Sequence, residues 1–361
     1  MNNVERKSNF DLMRILCIFL IIMYHYTLYD GFIYKAFCPQ KFFYESTGIW
    51  GLAGVIGFIM VSSHFLYTYG SFSFQKVLRL IFETSFFSTL LTLFLIVIGI
   101  LELAGDYLLK CNFSVFFRQY WFITDYVIFY LMTPFLKFFC DKLSIQHHKW
   151  LLIILYLITF IPREITYVET VSRLGIFVYI YLLTAYFIKK PDNFFQKHYK
   201  LLSVIVFGSI ISLVCLFLYL DKSAPDARYL DLINKMALIT STAMGLSATC
   251  LYFIFKNLNI KYSKILSLIG SSTLGIYLIH DHAFFGNYLI DIIFRSSQVY
   301  SMSLGPLIYI VSCISILLGC TIIYLGFRFI FKKTIYMLTD KYLKPKYDAL
   351  NAKYVPEHNK S

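Results

Sequence analysis

The feature that most constrains this chain is a succession of apolar runs, most of them about 15–26 residues long, separated by short polar connections. A helix needs about 20 such residues to cross a ~30 Å hydrocarbon core. Inside that core each backbone N–H and C=O must be satisfied internally, which leaves helices or closed barrels. Barrel strands would read as short alternating segments, and these runs do not. The chain is therefore expected to be all-α, a polytopic bundle of transmembrane helices. Composition agrees. Only 15% of the 361 residues are charged and 58% are apolar, whereas about a quarter of a soluble domain is charged.

The runs predict about ten spans, at Phe10–Tyr29, Trp50–Tyr69, Leu80–Leu103, Trp121–Phe139, Trp150–Ile161, Leu174–Ile188, Leu201–Leu220, Met236–Phe255, Ile265–Ile279 and Pro306–Phe331. The fifth, sixth and ninth are short, which predicts broken helices or helices extended by inward-facing polar residues. The last is long and predicts tilt. The first run is too long for a cleaved signal peptide, and no small-residue cleavage site follows it. With the N-terminus inside, about two thirds of the 33 basic residues fall on cytoplasmic loops and helix ends. Both termini are then cytoplasmic. The net charge of +13 reads as this orientation signal and not as a nucleic-acid footprint. A membrane domain is expected over 1–335, and a basic cytoplasmic tail near anionic membrane lipid over 336–361. The eight cysteines lack metal-ligand spacing, and most lie in apolar runs as small buried hydrophobes. No metal is expected. Cys38 and Cys111 fall on one side of the membrane, where a disulfide is permitted but not expected.

Two ionisable residues interrupt the first run. Arg14 and His25 each cost roughly 2.5–3.5 kcal/mol at membrane depth on insertion scales. The step between them turns a helix by about 1100°, three turns and about 20° more, so both lie on one face, separated by about 16 Å. Each alone has an ordinary explanation, snorkelling for the arginine and a helix–helix hydrogen bond for the histidine. Together they define a polar stripe at two depths. Imidazole suits a general base acting on a hydroxyl, and a guanidinium fork suits phosphate. An acyl donor bearing phosphates, held at Arg14 with its arm toward His25, would use both.

Other candidates have a bland reading beside the functional one. Lys76 and Arg79 either mark the inner face or touch donor phosphates. Trp121 either shapes a site or sits in the interfacial aromatic belt. Asp125, one turn on from Trp121, either orients a partner or acts as polar glue. His280, beside Asp281 and His282, is a second catalytic or acceptor-binding group or an interfacial residue. Gly48, Gly51, Gly54 and Gly57 recur every third residue, which points to close helix packing.

Asn9-Phe10-Asp11-Leu12-Met13-Arg14, ten further residues and His25 together resemble the first helix of the integral-membrane acyltransferase 3 family. The branch most resembled O-acetylates bacterial surface polysaccharides. Three later stretches fit in order: Gly54 through Ser63, followed by Lys76 and Arg79; Trp121 through Tyr130 and Pro134; and Leu274-Gly275-Ile276-Tyr277-Leu278-Ile279-His280. The family usually has Ser-Gly where this chain has Ser62-Ser63, and a small residue at the place of Asp125. Its branch often has paired histidines where this chain has Tyr24-His25. The resemblance implies an O-acetyltransferase of the bacterial cytoplasmic membrane that uses acetyl-CoA and a surface glycan or lipid-linked saccharide. It also implies catalytic roles for His25 and His280, donor binding by Arg14, Lys76 and Arg79, and acceptor binding by Trp121, Asp125 and Tyr277. A glycan flippase, exporter or other transporter, whose pathway the same residues would line, remains the other class. The absence of internal repeats and of paired broken helices weighs against it.

Overall fold

Helix α1 (Ser8–Tyr29) packs against six other α-helices, foremost the one at Gly51–Tyr69. The computed structural model describes residues 8–70, 72–102, 105–166, 171–223 and 226–342. After α1 the chain forms α2 (Lys41–Gly48), α3 (Gly51–Tyr69), α4 (Phe74–Val97), α5 (Gly105–Asn112) and α6 (Trp121–Lys142). It continues through α7 (Ile145–Thr159), α8 (Ile161–Thr166), α9 (Arg173–Lys189), α10 (Phe194–Ser223), α11 (Ala227–Met236) and α12 (Thr242–Asn257). Two short helices, α13 (Lys264–Gly270) and α14 (Thr273–His280), precede small turns α15 (Phe285–Asn287) and α16 (Ser296–Val299) and the long α17 (Gly305–Tyr342). Among the described residues all regular structure is helical.

Among the described residues six helices are long and apolar enough to cross a membrane: Ser8–Tyr29, Lys41–Tyr69 (α2 with α3), Phe74–Val97, Trp121–Lys142, Phe194–Ser223 and Gly305–Phe329. The other four apolar runs of the sequence fall on shorter elements. Helices α7, α9 and α12 have 15, 17 and 16 residues. The ninth run is broken between α13 and α14. Ser271 and Ser272 there both turn their hydroxyls back to the carbonyl of Leu268, at 2.9 Å each, a local bond that competes with continuation of the helix. The expected boundary at 335 lies within α17, and most of the basic tail lies outside the described residues. Cys38 and Cys111 are free thiols, each turned to a backbone carbonyl of its own surroundings.

The glycine series seats α3 on α1. A Cβ at Gly54 would stand 2.6 Å from the carbonyl oxygen of Cys17, and one at Gly57 the same distance from its Sγ. At Gly48 it would stand 2.7 Å from Thr27 Oγ1, and at Gly51 it would run into Tyr24. Without a hydrophobic force between helices in lipid, such close backbone approach is what holds the pair. A backbone carbonyl has little room to yield, so overpacking here is expected to cost about 1–3 kcal/mol. Gly54→Ala should therefore lower the unfolding temperature in detergent by several degrees. Gly208→Ala, in the interior of α10 with open space around it, should not lower it and should raise it slightly, since glycine costs a helix interior about 0.5–1 kcal/mol relative to alanine.

Candidate active site

Besides α3, helix α1 packs against α12, α13, α14 and α17. Its exposed stripe forms one wall of a cavity of about 740 Å³. Arg14 and His25 both line this cavity, together with Trp121, Tyr277, Tyr24 and Arg173. At its Arg14 end the guanidinium Nη1 donates to Asp11 Oδ1 at 3.1 Å and the group lies 5.2 Å over the Phe65 ring. Asp11 is buried and packs on Gly270, at the break between α13 and α14. Gly270 and Ser271 line the cavity there, and Arg328 donates to Ser271 Oγ at 3.1 Å.

At the other end the two sequence-predicted histidines meet. His25 Nδ1 is 3.2 Å from His280 Nε2 and 3.3 Å from Asp281 Oδ1. The proton positions follow from the partners. His280 Nδ1 lies 2.7 Å from the carbonyl oxygen of Ile276, which can only accept, so that nitrogen carries the hydrogen. His280 Nε2 is then an acceptor. His25 Nδ1 faces two acceptors, the carboxylate and this nitrogen, and must itself be the N–H. The remaining lone pair of His25 is on Nε2, on the ring edge away from both partners. Tyr29, one turn beyond His25 and stacked on its ring, donates to Asp281 Oδ1 at 2.5 Å. The carboxylate is thereby fixed behind the imidazole.

His282 holds the connection that carries Asp281. Its Nδ1 accepts from the backbone N–H groups of Phe284 and Phe285, at 3.2 and 3.1 Å, and its Nε2 donates to the Ser88 carbonyl at 3.1 Å. Burial holds this imidazole down at about 4, below its ordinary 6.5. Because the folded state resists protonation that the unfolded chain accepts, the contribution of His282 to stability is full above pH 6.5. It is lost as the pH falls toward 4, by up to about 3 kcal/mol. The unfolding temperature should thus drop between pH 7 and pH 4, and drop less in His282→Asn, whose amide oxygen can accept the same N–H bonds without titrating.

The other candidates are placed differently. Trp121 and Tyr277 line the cavity, the latter 6.2 Å from His280 between ring centres. His280 stands behind His25 and does not line it. Asp125 is buried against Arg118, at 3.1 and 3.3 Å, and does not line the cavity either. Lys76 and Arg79 lie in the first turns of α4 and do not line it, although Leu80 does. Asp281, Tyr29 and Arg173 were not singled out from the sequence. A signal existed for the first two: Asp281 sits in a His-Asp-His run, and Tyr29 follows His25 by one helical turn.

An imidazole with its lone pair on Nε2, an aspartate behind it and a largely apolar cavity with a few polar groups form an arrangement that can act as general base or nucleophile. The particular family follows from comparison. Residues 7–325 match the acyltransferase domain of the acyltransferase 3 family, and the chain belongs to that family. It is a membrane acyltransferase, which decides between the two classes that the sequence left open. No curated protein and no solved structure matches it.

Proposed function

We propose that this protein transfers an acetyl group from acetyl-CoA to a hydroxyl of a surface polysaccharide or its lipid-linked precursor, in a bacterial cytoplasmic membrane. The observation that carries the reading is the single cavity joining Arg14 to a His25 whose Nε2 lone pair is unspent. Its volume is in the range of small-ligand sites, about 300–1,000 Å³. It suits the acyl arm of the donor and the reacting end of the acceptor, with the nucleotide of the donor left at the mouth. Arg14 holds donor phosphate, and Lys76 and Arg79 at the start of α4 add positive charge to that side. His25 Nε2 takes the proton of the attacking hydroxyl as its oxygen bonds to the thioester carbonyl carbon. Collapse breaks the C–S bond, and the proton passes from the imidazolium to the departing thiolate. The Asp281 carboxylate stabilises the imidazolium between these steps. Trp121 and Tyr277 offer ring faces to the acceptor sugar.

The test is CoA release by purified protein given acetyl-CoA and a panel of saccharides. Release that depends on acceptor and is lost in His25→Ala supports the reading. Well-folded protein that releases no CoA with any acceptor sinks it.

A further inference from the structure

One cation of the cavity is not used by the transfer chemistry. Arg173 opens α9 and lines the cavity, its guanidinium 4.6 Å over the Trp121 ring. It belongs to the His25 end: Tyr24, the neighbour of His25, lies within electrostatic reach of both Arg173 and Asp281. The nearby charges are otherwise committed. Asp125 pairs with Arg118, with Arg173 within electrostatic reach but not in ion-pair contact, and Asp281 takes His25 and Tyr29. Among the described residues Arg173 has no carboxylate within ion-pair distance.

Its position runs against the local field. The first turn of a helix carries the positive end of the macrodipole, where an anion is favoured and a cation is not. Here a cation stands in that turn, with the Ser172 hydroxyl accepting from Gly175 N–H as the cap. Its position over the Trp121 ring satisfies the cation through a π face, which does not use up its N–H donors. A flat ring beside an exposed guanidinium, at the end of the cavity where the hydroxyl must react, matches a sugar carrying an oxyanion.

We infer that Arg173 and Trp121 form an acceptor subsite for an anionic saccharide, the guanidinium pairing with an oxyanion and the indole supporting the ring. This rests on the acceptor being a glycan. The oxyanion has two chemical sources, a uronate carboxylate within the saccharide or the diphosphate of a prenyl-linked precursor.

Equilibrium binding without donor separates them. Three probes are a hexuronate-containing oligosaccharide, its carboxyl-reduced counterpart, and that reduced oligosaccharide on a prenyl diphosphate. A uronate source predicts that carboxyl reduction weakens binding at least tenfold and that the lipid form does not recover it. A diphosphate source predicts that only the lipid-linked form binds tightly. In either case Arg173→Gln should reduce the preference for the anionic probe at least tenfold, and Arg173→Lys should restore part of it. Equal binding of all three probes to the wild type, or a preference unchanged in Arg173→Gln, overturns the inference. CoA release measured with the same probes reads the transfer reaction separately: anion-selective binding without release would leave the subsite standing and remove the acetyl transfer, and the converse result would do the reverse.

Discussion

His25→Ala should lower acceptor-dependent CoA release by about 10³-fold, within the range of about 10²–10⁴ that a positioned general base contributes. The loss is expected in kcat. On the proposed reading His25 meets the donor only at the thioester and Arg14 supplies its affinity at the far end of the cavity, so KM for the donor should stay within about twofold. Arg14→Lys gives the opposite pattern. It retains the charge but not the fork, and raises KM for acyl-CoA with a smaller change in kcat. Steady-state kinetics on both variants, in the same detergent and with matched elution profiles, distinguishes these two outcomes. A His25→Ala protein with near-normal kcat would remove the general-base assignment. A change in donor KM alone would move His25 from chemistry to binding.

The part of this site that the sequence discloses is the part that lies along one helix. Arg14 and His25 are spaced so that an α-helix must bring them to one face, and two ionisable groups are costly enough in an apolar run to require a use. The glycine series is legible for the same reason, because Gly51, Gly54 and Gly57 lie within α3 and Gly48 ends α2 just before it. The residues that complete the site come from far along the chain. His280 is 255 positions from His25, and no periodicity within one segment reports such a meeting. Asp125 shows the reverse difficulty. It stands out as a carboxylate in an apolar run, but its charge is met locally by Arg118, seven residues earlier. That arginine reaches it from a left-handed backbone turn, at φ 54°. Helix ends were misread where polar caps override hydropathy. The run expected from Met236 becomes a helix only at Thr242, where Ser241 accepts the Met244 N–H. Lys76 and Arg79 lie outside the cavity lining, and residue type alone does not separate charge that orients a helix in the membrane from charge that binds a ligand.

Asp281→Asn carries the second large effect, and its origin is the proton on His25. The carboxylate only accepts, so it keeps the hydrogen on Nδ1 and the lone pair on Nε2. Tyr29 and His25 Nδ1 share one oxygen of the carboxylate, so an asparagine of the same size that turns its NH₂ to that position gives up the bond from Tyr29 and presents a donor to Nδ1. That favours the tautomer with the hydrogen on Nε2, where it blocks the base, and it removes the charge that stabilises the imidazolium. By analogy with aspartate-oriented histidines elsewhere, kcat should fall by about 10²–10⁴ with donor KM little changed. Tyr29→Phe, which leaves the carboxylate but loosens it, should cost only about 3–10-fold, comparable to one lost hydrogen bond. The decisive comparison is the double variant. If Asp281 acts through His25, His25→Ala with Asp281→Asn should be no slower than His25→Ala alone, because the second change has nothing left to orient. Multiplied losses in the double variant would instead assign Asp281 a role independent of His25, in holding the connection after α14 or in touching the acceptor directly.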